Sequence, residues 1–99
     1  MIEVTAPLWL WTGGGGGNWY FVTVPEEQSG ELRAEGLAAR RGFGSVKVEA
    51  TINGVTWRTS VFPQKSGGYI LPVKAQVRRA AGIAVGDEIS VNLELLGIP

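Results

Sequence analysis

Residues 45–62 read Ser45-Val46-Lys47-Val48-Glu49-Ala50-Thr51-Ile52-Asn53-Gly54-Val55-Thr56-Trp57-Arg58-Thr59-Ser60-Val61-Phe62. Asn53-Gly54 at the centre is the strongest short-range hairpin signal, because a type I′ turn needs positive φ at both central positions. A two-residue loop leaves no freedom in register. It sets Ile52 opposite Val55, Ala50 opposite Trp57, Val48 opposite Thr59 and Val46 opposite Val61, an apolar face apart from Thr59. On the other face Thr51 meets Thr56, Glu49 meets Arg58 and Lys47 meets Ser60. Turn chemistry, alternation and cross-strand charge agree on one arrangement, which marks a well-specified hairpin.

The same period of two extends outward from the hairpin. Ile2, Val4, Ala6, Leu8 and Leu10 share one face of an N-terminal strand, and Glu3, Thr5, Pro7, Trp9 and Trp11 share the other. Pro7 calls for an edge position or a bulge. The five glycines Gly13 to Gly17 lack the Gly-Lys-Ser/Thr ending of a phosphate loop, so they read as a hairpin connection to a strand from Asn18 to Val24. Pro25-Glu26-Glu27 suits a helix start, and residues 26–41 read as one or two short helices anchored by Leu32 and Leu37, ending at Arg40 and Arg41. The acids Glu26, Glu27, Glu31 and Glu35 read as a solvated face. Downstream, Tyr69-Ile70-Leu71 is a short strand. A helix is expected over residues 73–81, with Val73, Val77, Ala80 and Ala81 as its apolar stripe, Gly82 at its C-terminal cap and Ile83 as the contact beside that cap. Glu88 to Leu95 is the last strand, with Ile89, Val91, Leu93 and Leu95 inward.

Six strands and two helical segments in 99 residues of 10.6 kDa make one domain over residues 1–99. The expectation is an all-β, β-rich fold closed as a six-stranded barrel, because closure removes exposed edges. A chain of this size buries roughly 65% of its unfolded surface, enough for one core. With no cysteine, disulfides and thiolate sites are excluded; with no histidine, the commonest general base and metal ligand are missing. Nine cations balance nine acids, so a polyanionic or membrane partner is not implied. No apolar run reaches the roughly 20 residues of a membrane span, and Met1-Ile2-Glu3-Val4 lacks a signal peptide's basic region. A cytoplasmic protein is expected, as a monomer or weak homodimer.

Charge is uneven along the chain. Between Ala50 and Gly86 stand five cations, Arg58, Lys65, Lys74, Arg78 and Arg79, and no acid. One reading is an anion site, with Lys74 and Arg78 sharing a helix face at i, i+4. The other is structural, with Arg78 and Arg79 complementing the helix C-terminus and pairing with Asp87, Glu88 or Glu94. Lys74, expected in the first helical turn, fits no dipole argument. Trp57 reads as core. Trp9 and Trp11 read either as covered residues or as an aromatic platform able to stack a ring. Pairing Ser60 or Tyr69 with Lys74 forms no recognisable catalytic motif, so no catalytic residues are assigned and no enzyme is expected.

The strings Trp57-Arg58-Thr59-Ser60-Val61-Phe62-Pro63, Gly68-Tyr69-Ile70-Leu71-Pro72-Val73-Lys74, Val77-Arg78-Arg79 and Gly86-Asp87 resemble the bacterial family catalogued as domain of unknown function nineteen-oh-five. Gly42 to Val48, Trp19 and Val24-Pro25 resemble it too. The resemblance implies a six-stranded double-split β-barrel and no established activity. A local stretch, Ile70 to Ile83 with Gly86-Asp87-Glu88-Ile89, is similar to AbrB-type swapped-hairpin DNA-binding domains, which implies an alternative nucleic-acid role. The residues themselves favour a non-enzymatic module binding an anionic small molecule or protein carboxylate. Arg58, Ser60, Lys74 and Arg78 are expected around its pocket, with Trp9 and Trp11 as an aromatic flank, and with no metal or other cofactor. A third reading is a structural or protein-interaction domain using exposed Trp9 and Trp11.

Overall fold

A computed structural model describes residues 2–12, 18–39, 45–64 and 68–96, with the backbone alone at residue 33 and residues 35–39. The glycine run 13–17, the basic pair Arg40-Arg41 and Lys65 lie outside the described residues, as do the side chains of Glu35 and Leu37. The element order is β1 (Ile2–Trp11), β2 (Trp19–Val24), α1 (Glu26–Ala39), β3 (Val46–Ile52), β4 (Val55–Pro63), β5 (Tyr69–Pro72), α2 (Ala75–Ala81) and β6 (Glu88–Leu95). The strands close into a barrel in the order β1-β2-β5-β4-β3-β6, every neighbouring pair antiparallel.

Two long strands change partners midway and divide the wall. β1 pairs with β6 from Ile2 to Pro7 and with β2 from Leu8 to Trp11. β4 pairs with β3 from Val55 to Val61 and with β5 at Phe62 and Pro63. One half-wall is therefore β6 and β3 between the first parts of β1 and β4. The other is β2 and β5 between their second parts. Pro7, which has no N–H for a ladder, stands at the changeover in β1, where pairing with β6 ends and pairing with β2 begins.

The hairpin has the register its turn demands, from Ile52↔Val55 to Val46↔Val61. Asn53 (φ 48) and Gly54 (φ 80) both take the left-handed conformation of a type I′ turn. The inward faces of all six strands meet in one core that includes Val4, Leu8, Val22, Val48, Val61, Leu71 and Leu93, with Trp57 also buried. Each such side chain stabilises by about 1.5–3 kcal/mol relative to exposure.

The helices are held by specific polar contacts as well as by packing. α1 buries Leu32 in the core, while Glu26, Glu27 and Glu31 are exposed. Its Ser29 is buried, and the hydroxyl stands between two strands: it donates to the Val24 carbonyl at 3.0 Å and accepts from the Tyr69 N–H at 3.2 Å. Val24 and Tyr69 are register partners at the end of the β2–β5 ladder, so the hydroxyl bridges the last rung. α2 ends at Gly82 (φ 70), whose N–H turns back to the carbonyls of Arg78 and Arg79, and the Ile83 N–H reaches Arg78 O at 3.1 Å. The Asn53 amide donates to Ala81 O at 2.9 Å and ties the hairpin tip to this helix end.

The segment 26–39 is a single helix, one of the two arrangements expected. Two local expectations are corrected. α2 starts at Ala75, not Val73, because the Val73 N–H donates to Tyr20 O at 2.9 Å and prolongs the β2–β5 pairing. Lys74 is thus the extended N-cap residue (ψ 162); of the expected stripe Val73 and Val77 are buried and Ala81 packs against the core, while Ala80 is exposed. Leu10 has the inward parity of β1 but is 37% exposed, opposite Tyr20 near the strand's end.

Candidate functional site

The two half-walls differ on the outside. Around β6, β3 and the first parts of β1 and β4 the outward positions are polar. Glu3, Lys47, Ser90, Asn92 and Glu94 are exposed, Thr51 bonds Thr56 at 2.9 Å, and Arg58 pairs with Glu49 at 3.5 Å. This is the solvated face expected of an antiparallel sheet.

Outside β2 and β5 the pattern inverts. Alternation that buries Leu8 and Val22 turns Trp9 and Phe21 outward, and these are cross-strand partners, as are Trp11 and Trp19. Phe21 in turn opposes Pro72, and Phe62 opposes Ile70. Four strands thus lay one aromatic surface side by side. Trp9 and Phe21 pack with ring centroids 5.3 Å apart, and Trp19 and Phe21 lie nearly parallel at 6.3 Å. The Trp9 indole N–H is engaged by Thr23 Oγ at 2.8 Å, which orients the ring. Trp11, Trp19 and Phe62 remain 40%, 55% and 45% exposed. The surface forms a groove of about 460 Å³, in which, among the described residues, Gln64 is the only side chain with hydrogen-bonding groups besides the indole N–H groups.

Beside it lies a second depression, of about 350 Å³, formed by Asn18, Trp19 and Tyr20 on one side and Pro72, Val73, Lys74, Ala75 and Arg78 on the other. Trp19 and Pro72 border both depressions. Arg78 is held in place: its guanidinium carbon sits 3.5 Å from the Tyr20 ring centroid, and Nη1 donates to Val73 O at 2.7 Å. A guanidinium has five N–H donors, so this anchoring leaves others for an incoming acceptor. Lys74 is exposed, and among the described residues the only ion pair is Arg58 with Glu49. Among the described residues no acid lines the cationic cup or the groove. Two cations facing no carboxylate form a surface that can accept an anion.

Of the residues singled out from sequence, Lys74 and Arg78 meet in the cup, and Trp9 and Trp11 line the groove next to it. Arg58 and Ser60 line neither; they stand on the polar half-wall, where Arg58 faces Glu49 and Ser60 pairs in register with Lys47. The expected pairing of Arg78 with Asp87, Glu88 or Glu94 is replaced by the Tyr20 stack and the Val73 carbonyl. Asp87 instead accepts from the Ala84 N–H at 2.9 Å. Sequence reasoning did not select Trp19, Tyr20, Phe21 or Phe62 for the site. Strand parity in β2 carried part of that signal, since Trp19 and Phe21 alternate against buried Val22.

A family model described as a domain of unknown function (DUF1905) matches residues 5–93. No curated protein matches the chain. Among the described residues no helix is long and apolar enough to cross a membrane.

Proposed function

The chain belongs to the DUF1905 family, and from that footing we propose that it is a non-enzymatic binding module for a small anionic ligand or a protein carboxylate, received between Lys74 and Arg78. The single observation that carries this reading is a cup with no acid among the described residues, in which an anchored guanidinium and an exposed ammonium border the same depression. Arg78 supplies fixed donors with little conformational entropy left to lose, whereas Lys74 supplies a mobile point charge. Among the described residues that border the cup there is no serine, threonine, cysteine, histidine or carboxylate to make a nucleophile–base pair, which is why binding rather than catalysis is the reading. Zero net charge provides no long-range attraction for a polyanion, so a small ligand is favoured over nucleic acid.

The test is a nitrogen-15 NMR titration with a panel of carboxylates and phosphate monoesters. Saturable shifts at Lys74, Ala75 and Arg78 that vanish in Lys74→Ala support the reading. A panel that leaves those resonances unmoved, or moves them equally in Lys74→Ala, refutes it.

A further inference from the structure

The aromatic groove says what else a ligand of the cup carries. We infer that the ligand is a planar aromatic acid, its ring lying in the groove lined by Trp9, Trp11, Trp19, Phe21 and Phe62 and its acid group reaching Lys74 and Arg78; the inference rests on the anion reading above.

Continuity is the first argument. Trp19 and Pro72 border both depressions, so one molecule of modest size spans them without crossing a ridge. Chemistry is the second. Among the described residues the groove's hydrogen-bonding side-chain groups are the Gln64 amide and the indole N–H groups, one of them already engaged by Thr23, so a sugar or polyol would lose water there and find few partners. A cationic headgroup would meet no carboxylate among the described residues and would stand beside Lys74 and Arg78. An apolar ring loses nothing polar on entering, and its negative substituent meets the two cations. Geometry is the third. Trp19 and Phe21 are nearly parallel, 9° between planes, while Trp9 is tilted by 40° to Phe21, so two rings of the wall share an orientation that a flat ring can match, and ring-on-ring contact adds to plain area burial. Finally, Trp19 and Phe62 are among the most exposed large apolar residues of the described chain although the core is fully closed. Neither is needed to seal the barrel, and exposed apolar surface of this kind marks a contact site.

The test uses the intact chain and four probes: 2-naphthoate, cyclohexanecarboxylate, acetate and the neutral 2-naphthamide, each titrated by NMR with the indole N–H resonances followed. Naphthoate is expected to bind at least ~10-fold more tightly than acetate, the scale of one ring stacked on an aromatic side chain, and to shift the Trp9, Trp11 and Trp19 indoles together with Lys74 and Arg78. It is also expected to bind more tightly than cyclohexanecarboxylate and naphthamide. Trp11→Ala and, separately, Phe62→Ala should reduce the naphthoate advantage several-fold while leaving acetate unchanged; both residues line the groove and not the cup, and both side chains are exposed, so both variants keep the core. If acetate binds in a Lys74-dependent way and naphthoate binds no better, the ring inference is overturned and the anion reading stands. If naphthamide binds as well as naphthoate, the anion reading falls. Cyclohexanecarboxylate matching naphthoate rejects planarity. Silence from all four probes rejects both ideas.

Discussion

Replacing Ser29 by alanine removes one oxygen atom from the place where helix α1 meets the end of the β2–β5 ladder. That oxygen is buried at 1% exposure, donates to Val24 O and accepts from Tyr69 N–H. Two hydrogen bonds are lost, each with a net contribution of about 1 kcal/mol, and each stranded buried group adds about 1–3 kcal/mol if nothing relaxes. Relaxation is limited but real. Val24 and Tyr69 already face one another in register, and if the ladder tightens, the carbonyl and N–H recover part of a direct bond. The expected destabilisation is therefore about 2–3 kcal/mol, the lower part of that range. For a domain of this length that lowers Tm by roughly 10–20 °C. Urea unfolding followed by tryptophan fluorescence reads the change as a lower midpoint at constant slope. Hydrogen exchange adds a local readout, since the Tyr69 amide should lose protection before its neighbours. A loss below about 0.5 kcal/mol, the level of an ordinary surface substitution, would mean that the hydroxyl does not bridge the two strands, and the account of how α1 is attached would be wrong.

Other perturbations separate the parts of the argument. Gly82→Ala should destabilise by about 1 kcal/mol in a thermal melt, from the left-handed backbone alone, because a β-carbon there meets no neighbour. Arg58→Ala should change stability by less than about 1 kcal/mol, as expected for an exposed ion pair. It should also leave anion titrations at Lys74 unaltered, which checks that Arg58 is outside the cup. Arg78→Lys keeps the charge but loses the planar stack on Tyr20 and the fork that bonds Val73 O. Anion affinity measured by titration should fall several-fold, and equal affinity would show that the anchoring of Arg78 does not matter to the cup.

Local sequence was a good guide wherever one short segment contained all the information. Asn53-Gly54 and the alternation around it specify seven cross-strand pairs, from Val46↔Val61 to Ile52↔Val55, and all of them are present. Gly82 and Ile83 specify the end of α2 for the same reason: the left-handed cap and its contact lie within a few residues. The start of α2 was less legible, because the Val73 N–H that keeps the segment extended is claimed by Tyr20, some fifty residues earlier in the chain. Charge spacing failed in a related way. Arg58 and Ser60 share the acid-free stretch with Lys74 and Arg78, but separation along the chain says nothing about position around a closed wall. The pairing β1-β2-β5-β4-β3-β6 puts them on the polar half.

Residue order alone thus determined that the chain has a β-rich core, which side chains of the central hairpin face inward, and that Lys74 and Arg78 stand close together. These follow from periodicity and turn geometry, which act over two to four residues. Only the tertiary structure decided that Trp9, Trp11, Trp19, Phe21 and Phe62 form one surface beside those cations. They come from three strands whose adjacency is created by barrel closure and by the partner changes in β1 and β4. A strand's own pattern says which face a ring points to; which rings become its neighbours depends on the strands laid against it.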